Sequence, residues 1–201
     1  MTTFSKYMTY KIKSLYNSDN TCRLSKTIYL SSNNQLSKIL IILQNPTKDN
    51  TPNCIYKTLI DKFINDINYK DNIYSICIIN LISIISSDIK SELLLYDNNN
   101  ILNILEENKL YILNLISKNN YNEIFIGCGQ HFVNFETNIK KFIFKLYKDI
   151  IIQISLNNCS KIKYFGKFVY NNLIPCCCCK RNNNTFTDTT IEDLLLKLKK
   201  L

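Results

Sequence analysis

Short, nearly continuous apolar runs recur along this chain, and most of them end in polar residues or glycine. Runs of this kind are typical of strands buried on both faces of a sheet. An earlier segment, rich in Thr, Ile and Tyr, also has strand composition. The pattern therefore predicts five strands, over residues 22–30, 40–43, 73–81, 123–126 and 161–165.

Between these runs, apolar side chains recur three and four residues apart, which places them on one face of a helix. This spacing predicts helices over residues 53–67, 101–116 and 132–152. Strands and helices that alternate in this way indicate a parallel sheet covered by helices. We therefore expect a three-layer α/β/α sandwich with a mainly parallel central sheet of about four strands, preceded by a short antiparallel piece.

The end of the chain has a different character from the rest. We expect one α/β domain over residues 1–175, followed by a Cys-rich segment and a C-terminal amphipathic helix over residues 176–201. Thr189 and Glu192, three residues apart, match a capping box at the start of that helix. The helix either docks on the domain and covers core, or it is offered to a partner. Its apolar positions are Ile191, Leu194, Leu195 and Leu198.

The chain of 201 residues is basic, with 25 Lys and Arg against 16 Asp and Glu and a formal net charge of +9. The excess is greatest over residues 138–181, where Asp149 is the one acidic residue. Such a segment can attract the phosphates of DNA or RNA by counterion release. A solvated lysine-rich surface is the alternative, and it stays open. The basic residues concerned are Lys140, Lys141, Lys145, Lys148, Lys161, Lys163, Lys167, Lys180 and Arg181.

Cysteine usage and hydropathy indicate the compartment. Nine cysteines are scattered along a chain whose first residues lack the apolar stretch of a secretory signal, so we expect free thiols in a reducing compartment. The longest apolar run, residues 73–85, is shorter than the roughly 20 residues of a membrane helix. We therefore expect a soluble, intracellular protein without a membrane span.

Four contiguous cysteines, Cys176 to Cys179, are followed by Lys180 and Arg181. They lack the two-residue spacing of zinc knuckles, so we predict no metal site and no cofactor. Ordinary free thiols are the simplest interpretation of this run. Lipidation and metal binding are the alternatives.

Three predicted strands end in polar residues or glycine. Asn45 and Thr47 follow the second strand, Asn80 closes the third, and Gly129 follows the fourth. Ligands of open α/β sheets bind at the carboxyl ends of the parallel strands, so we expect these four residues to line one pocket. Ordinary turn chemistry is the alternative, because Asn and Pro are common at the start of loops.

These segments also resemble a known family. Leu43-Gln44-Asn45-Pro46-Thr47 is similar to the leucine-Asn-Pro-Ser/Thr motif of a mostly bacterial and phage family, the domain of unknown function 1643 family. Asn80-Leu81 is similar to its Asn-Leu element, and Gly127-Cys128-Gly129 to its small-Trp-Gly element with Cys in place of Trp. Ile174-Pro175-Cys176 stands at its closing Pro-x-His-Pro signature and lacks the His-Pro. The resemblance spans about residues 23–176.

That family in turn resembles the uracil-DNA glycosylase superfamily in the order of its motifs. The resemblance implies that Asn45 orients an attacking water and that Asn80 hydrogen-bonds a flipped base, with Thr47 and Gly129 lining the substrate pocket. An amide offers both a donor and an acceptor, which suits a uracil-like edge. His131, the only His in the chain, would replace the missing His of the late loop. A surface or helix-capping role for His131 is the alternative.

We therefore expect a glycosylase-like pocket directed at nucleic acid or nucleotides, with Lys161, Lys163 and Lys167 as phosphate contacts. The main alternative is a non-catalytic binding or interaction module on the same fold, since the His-Pro loop is missing. A different small-molecule enzyme on this scaffold is the third possibility. Whether the protein is an enzyme stays open at this point.

Overall fold

A computed structural model describes residues 10–47, 55–66, 69, 71–128, 135–157, 159, 161–165, 168–169, 174–175 and 186–199. The strands in this part of the chain are β1 (Lys11–Tyr16), β2 (Arg23–Tyr29), β3 (Ser37–Leu43), β4 (Ile73–Asn80), β5 (Glu123–Gly127), β6 (Lys161–Phe165), β7 (Phe168–Val169), β8 (Ile174–Pro175) and β9 (Phe186–Thr189). The helices are α1 (Ile55–Asn65), α2 (Ile89–Leu93), α3 (Asn98–Lys118), α4 (Thr137–Leu156) and α5 (Ile191–Leu198). All five predicted strands and three predicted helices have counterparts here.

Seven strands form one sheet in the order β1-β2-β4-β3-β5-β6-β9, while β7 and β8 pair with each other. The four central strands, β4, β3, β5 and β6, are parallel, and Leu40 of β3 is in register with Cys77 of β4 and Ile124 of β5. The pairs β1–β2, β2–β4 and β6–β9 are antiparallel. Half of the six pairings are thus antiparallel, and the prediction of a mainly parallel sheet is wrong.

The two strands at the edges of the sheet, β1 and β9, were not predicted, whereas the early strand predicted over residues 22–30 is the antiparallel strand β2. A tight turn after β1, in which the Asn17 amide donates to the Cys22 carbonyl at 3.0 Å, returns the chain directly into β2. Strands joined this way must be antiparallel. Strand β1 is mostly exposed and carries Lys11 and Lys13, so it lacks the apolar run of a buried strand.

The side chains of the central strands alternate between the two faces of the sheet. Ile39 and Ile41 pack with Phe63 of α1 on one face. Leu40 and Ile42 belong to the larger core on the other face. Among the described helices, α1 covers the first face, and α2, α3, α4 and α5 contribute to the core on the second. The helix residues buried in the larger core include Ile101, Leu105, Ile112, Ile143, Leu146, Ile150 and Leu194.

Strands β3 and β5 are neighbours, and the connection from β3 leads to β4 on one side of this pair while the connection from β5 leads to β6 on the other. The chain after β3 leads to α1 on one face, and the chain after β5 leads to α4 on the other. Such a divergence is the topological switch point of an open α/β sheet, where a crevice opens at the carboxyl ends of the strands. We call this end of the four parallel strands the carboxyl edge.

The C-terminal helix packs on the body of the protein. Leu194 and Leu198 of α5 are buried in the larger core. The N-cap of α5 is Thr190, whose hydroxyl accepts from the Asp193 amide at 3.1 Å, and not Thr189 as the capping-box pattern predicts. Thr189 is the last residue of β9 and pairs with Ile162, so its backbone belongs to the sheet.

Candidate functional site

The segments that follow β3 and β4 lie side by side at the carboxyl edge. The Leu81 amide donates to the Leu43 carbonyl at 2.9 Å, and the Ile82 amide donates to the Gln44 carbonyl at 2.8 Å. The parallel pairing thus continues beyond the ends of the two strands. This brings the Asn-Pro-Thr segment next to the Asn-Leu segment, as the sequence predicts for neighbouring parallel strands.

Asn45 uses its side-chain amide to join these two segments. Its Nδ2 donates to the Ser86 carbonyl at 2.8 Å and to the Pro46 carbonyl at 3.3 Å. The Ser86 amide in turn donates to the Pro46 carbonyl at 2.9 Å. Asn45 therefore fixes the path of the chain after β3, and these bonds leave only its carbonyl oxygen Oδ1 for other contacts.

Asn80 is the last residue of β4 and is only 2% exposed. It is in register with Leu43 of β3. Its side-chain oxygen Oδ1 is buried and has no hydrogen-bond partner in the part of the chain that the structure describes. Leaving a buried acceptor unsatisfied costs about 1–3 kcal/mol, so such a group calls for an explanation. A ligand that donates to Oδ1 would provide one.

Asn108 of α3 hydrogen-bonds to the main chain at Asn80, and the sequence did not predict it as a site residue. It is fully buried, and its Nδ2 donates to the main-chain carbonyls of Asn80 at 2.9 Å and Leu81 at 3.0 Å. Its own Oδ1 has no partner among the described residues. The sequence did hold a signal, because Asn108 falls on the buried stripe of α3 between Leu105 and Ile112.

Several buried amide atoms without a described hydrogen-bond partner lie at this edge. Besides the two oxygens of Asn80 and Asn108, the Nε2 atom of Gln44 is buried and has no partner among the described residues. Gln44 directly precedes Asn45, and the main-chain carbonyl of Gln44 accepts from the Ile82 amide. Amides provide donors and acceptors without charge, so this edge is suited to a neutral polar ligand.

Two of the predicted pocket residues, Gly129 and His131, lie outside the described residues, and so does Lys167. Thr47 is described and is half-buried. It lines a pocket of about 410 Å³ that also contains Arg23 and Tyr96. Of the predicted set, the structure therefore brings together Asn45, Thr47 and Asn80 on adjoining segments.

Lys161 and Lys163 lie towards the opposite, amino end of the parallel strands. Both form ion pairs with Glu123, the first residue of β5, at 3.7 Å and 3.4 Å. Lys163 also donates to the Tyr69 hydroxyl, which itself donates to Glu123 Oε2 at 2.8 Å. Burial, followed by its bond to Glu123, raises the pKa of Tyr69. Glu123 thus offsets part of the positive charge that these lysines would present to phosphates.

The cysteines of the described chain do not have the properties of activated nucleophiles. Burial raises the pKa of the Cys22, Cys77 and Cys159 thiols, which keeps them protonated at neutral pH. A reactive cysteine needs the opposite shift, because the thiolate is the nucleophile. We therefore do not base a nucleophilic mechanism on these residues.

The described residues contain no group of three or more His, Cys, Asp or Glu side chains placed to hold a metal ion. None of the helices in this part of the chain is both long and apolar enough to cross a membrane. The chemistry that these residues offer at the carboxyl edge is therefore that of neutral amides, with one buried arginine nearby.

Comparisons with known proteins add no relative to this picture. No protein-family model, no curated protein and no solved structure matches the chain. The resemblance to the domain of unknown function 1643 family and to uracil-DNA glycosylases therefore stays a prediction that depends on the quoted motifs. The function has to be argued from the residues of the carboxyl edge.

Proposed function

We propose that this protein binds a nucleobase, carried by a nucleotide or by nucleic acid, in a glycosylase-like pocket at the carboxyl edge. Asn80 carries the proposal, because its buried Oδ1 has no partner among the described residues. The base would supply the missing donor. Thr47 and Gly129 would complete the walls of the pocket.

The chemistry of a base edge suits an asparagine. An amide presents one acceptor oxygen and one donor nitrogen side by side, and the edge of a pyrimidine such as uracil presents the complementary pair. Neither partner is charged, so binding does not require an ion to be desolvated. Asn80 is 2% exposed, so water competes little for its bonds.

The position of Asn80 also supports the proposal. It closes β4 beside β3, next to the switch point where open α/β sheets bind their ligands. Asn108 holds the main chain of Asn80 from the α3 side through its 2.9 Å bond. A recognition group that is fixed in this way loses little conformational entropy on binding.

The uracil-DNA glycosylase-like fold and the domain of unknown function 1643 family are part of this proposal. Their support is that the Asn-Pro-Thr and Asn-Leu motifs follow adjacent parallel strands, β3 and β4. In that interpretation His131 would stabilise the departing base. The Lys161, Lys163 and Lys167 side chains would contact phosphates.

A non-catalytic binding module is the second candidate, and the contacts of Asn45 favour it. An attacking water would donate to the Asn45 Oδ1, the one side-chain polar atom of Asn45 that its loop contacts leave over. Both described bonds of the Asn45 Nδ2 go to the carbonyls of Pro46 and Ser86. This arrangement serves to shape the loop and does not require chemistry on the base.

Binding is tested by calorimetric titration of the full chain with uridine, adenosine and a short single-stranded oligonucleotide. We expect Asn80→Leu to weaken binding of the preferred base by at least about tenfold, since a site built to hydrogen-bond loses that bond. Asn114→Leu, the same substitution at an exposed position of α3, is the matched control. Equal affinities of the wild type and Asn80→Leu, or no binding by the wild type, would overturn the proposal.

Catalysis is tested separately, by release of free base from a uracil-containing oligonucleotide. Loss of release in both Asn45→Ala and His131→Ala, with binding retained, would establish the glycosylase reading. Binding without base release in the wild type would establish the non-catalytic module.

A further inference from the structure

A pocket lies beside the carboxyl edge, and its lining includes Arg23, one of only two arginines in the chain. We call it the Arg23 pocket. Its volume is about 410 Å³. It lies between the end of β1, the start of β2 and the segment that follows β4. Its lining includes Tyr16, Arg23, Thr47, Ile84, Glu92 and Tyr96.

Arg23 is held firmly in this wall. It is 4% exposed, its amide donates to the Ser83 carbonyl at 2.8 Å, and it pairs with Tyr16 across the β1–β2 ladder. The preceding residue, Cys22, forms a bridge with Ile84. A guanidinium carries five N–H donors in a planar fork, so it can bind a ligand in addition to contacts within the chain. That fork fits phosphate oxygens in a bidentate manner.

The other walls suit the remaining parts of a nucleotide. Tyr16 and Tyr96 offer an apolar ring face and a polar hydroxyl, which suits the sugar next to the phosphate. Burial, followed by the neighbouring Cys22 and then by Glu92 and Asp19, raises the pKa of Tyr96. The Glu92 carboxylate is an acceptor only, which suits ribose hydroxyls and disfavours a second phosphate.

One further acidic group lies near the rim and is already engaged. Asp19 accepts from the Thr21 amide at 2.9 Å and from the Thr21 hydroxyl at 2.6 Å. Its charge is therefore directed at the turn between β1 and β2. Arg23 is the one cationic residue among the described lining residues of this pocket.

We propose that the Arg23 pocket binds the phosphate group of a nucleotide, with Arg23 as its anion ligand and Tyr16 and Tyr96 against the sugar. The choice of a nucleotide rests on the proposed function, whereas the anion site rests on the pocket itself. The Thr47 side chain lines this pocket two residues after Asn45. The carboxyl edge and the Arg23 pocket therefore adjoin along one loop.

The test compares uridine with uridine monophosphate by calorimetric titration. The wild type should bind the monophosphate at least about tenfold more tightly, and inorganic phosphate should compete with it. Arg23→Gln should remove the preference, and Arg23→Lys, which keeps the charge without the fork, should give an intermediate ratio. Lys118→Gln, which removes a charge at the exposed end of α3, is the control and should keep the wild-type ratio.

The outcomes separate the two proposals. Asn80→Leu should weaken uridine and its monophosphate equally, because it leaves the phosphate contact intact. Phosphate binding that depends on Arg23 in the absence of any uridine binding would overturn only the proposed function. Equal wild-type affinities for uridine and its monophosphate would overturn the Arg23 pocket, as would an unchanged ratio in Arg23→Gln.

Two more measurements complete the design. If Arg23→Gln fails to fold, as judged by circular dichroism, Tyr96→Ala replaces it and should weaken the monophosphate more than inorganic phosphate. An unchanged monophosphate affinity in Tyr96→Ala would then count against the proposal. Competition by an oligonucleotide with and without a 5′-phosphate distinguishes a terminal phosphate of nucleic acid from a free nucleotide.

Discussion

The side chain of Asn108 donates to the main-chain carbonyl of Asn80 at 2.9 Å and so connects the middle of α3 to the carboxyl end of β4. Helix α3 lies on the face of the sheet that carries the larger core. The bond therefore holds the main chain at the end of β4 from the α3 side, and the 2% exposed Asn80 side chain keeps a buried Oδ1 without a described partner. Asn108 thus positions Asn80, the residue that is proposed to read the base.

This connection predicts a large effect on stability. Asn108→Ala removes two buried hydrogen bonds, to the carbonyls of Asn80 and Leu81, and leaves both acceptors without their described partner. We expect the free energy of unfolding in urea to fall by about 2–4 kcal/mol. The control Asn114→Ala, at an exposed position of the same helix, should change it by less than about 0.5 kcal/mol. Similar effects of the two substitutions would contradict this role of Asn108.

Asn80→Leu should have the opposite signature. The substitution removes a buried acceptor that has no described partner and replaces it with an apolar side chain of similar volume. We expect the free energy of unfolding to stay level or to rise by up to about 1 kcal/mol, while base binding is lost. Thermal and urea unfolding of the ligand-free protein measure this. A loss of more than about 1 kcal/mol would mean that the Asn80 amide already serves the folded chain.

The neighbourhood of Asn45 and Asn80 could be predicted from sequence because it follows from a general rule. Buried parallel strands that are adjacent bring their carboxyl ends to one edge, and the bond from the Leu81 amide to the Leu43 carbonyl confirms this for β3 and β4. The bonds that Asn45 makes with Pro46 and Ser86 could not be predicted. They depend on the path of the chain 41 residues later.

Other features were missed because they depend on tertiary pairing. Asn108 is a polar residue within the apolar stripe of α3, and its role follows only from its hydrogen bonds to the carbonyls of Asn80 and Leu81. Strand β9 is a short segment, Phe186–Thr189, whose only strand signal is its pairing with β6. The ion pairs of Glu123 with Lys161 and Lys163 join residues 38 or more positions apart, so these lysines looked available for phosphates.

The two lysines of the Glu123 cluster should differ in their contribution to stability. The Lys161 side chain is 64% exposed, whereas that of Lys163 is 19% exposed and also bonds to Tyr69. Lys161→Met should lower the free energy of unfolding by less than about 0.5 kcal/mol, as for other surface ion pairs. Lys163→Met should lower it by about 2–3 kcal/mol, because Glu123 and Tyr69 lose a half-buried partner. Equal effects in urea denaturation would refute the distinction.

The Lys161→Met variant also tests whether Lys161 contacts a phosphate, as the sequence predicts. If Lys161 contacts a nucleic-acid phosphate, its removal should reduce the slope of log affinity against log salt concentration by about one unit. The measurement is a salt titration of oligonucleotide binding. An unchanged slope in Lys161→Met would identify this lysine as a partner of Glu123 alone.

The half-buried Tyr111 and the fully buried Tyr147 provide the last prediction, since among the described residues one hydroxyl is paired and the other is not. The Tyr111 hydroxyl lies 2.6 Å from the Ser25 hydroxyl. The Tyr147 hydroxyl is buried without a hydrogen-bond partner among the described residues. At pH 7, Tyr111→Phe should therefore lower the free energy of unfolding by about 1 kcal/mol, and Tyr147→Phe should leave it level or raise it.

Alkaline pH should reveal what the two tyrosines share. Burial raises the pKa of Tyr111, and it raises that of Tyr147 well above the ordinary value of 10.0. Above pH 10 the unfolded chain loses these protons while the folded chain keeps them, so the stability present below pH 10 falls as pH rises. Each such group contributes up to about 1.4 kcal/mol per pH unit to that loss. Either Phe variant should flatten the decline in the free energy of unfolding that urea denaturation measures between pH 9.5 and roughly 11. A decline in Tyr147→Phe as steep as in the wild type would show that the Tyr147 hydroxyl ionises without cost in the folded protein.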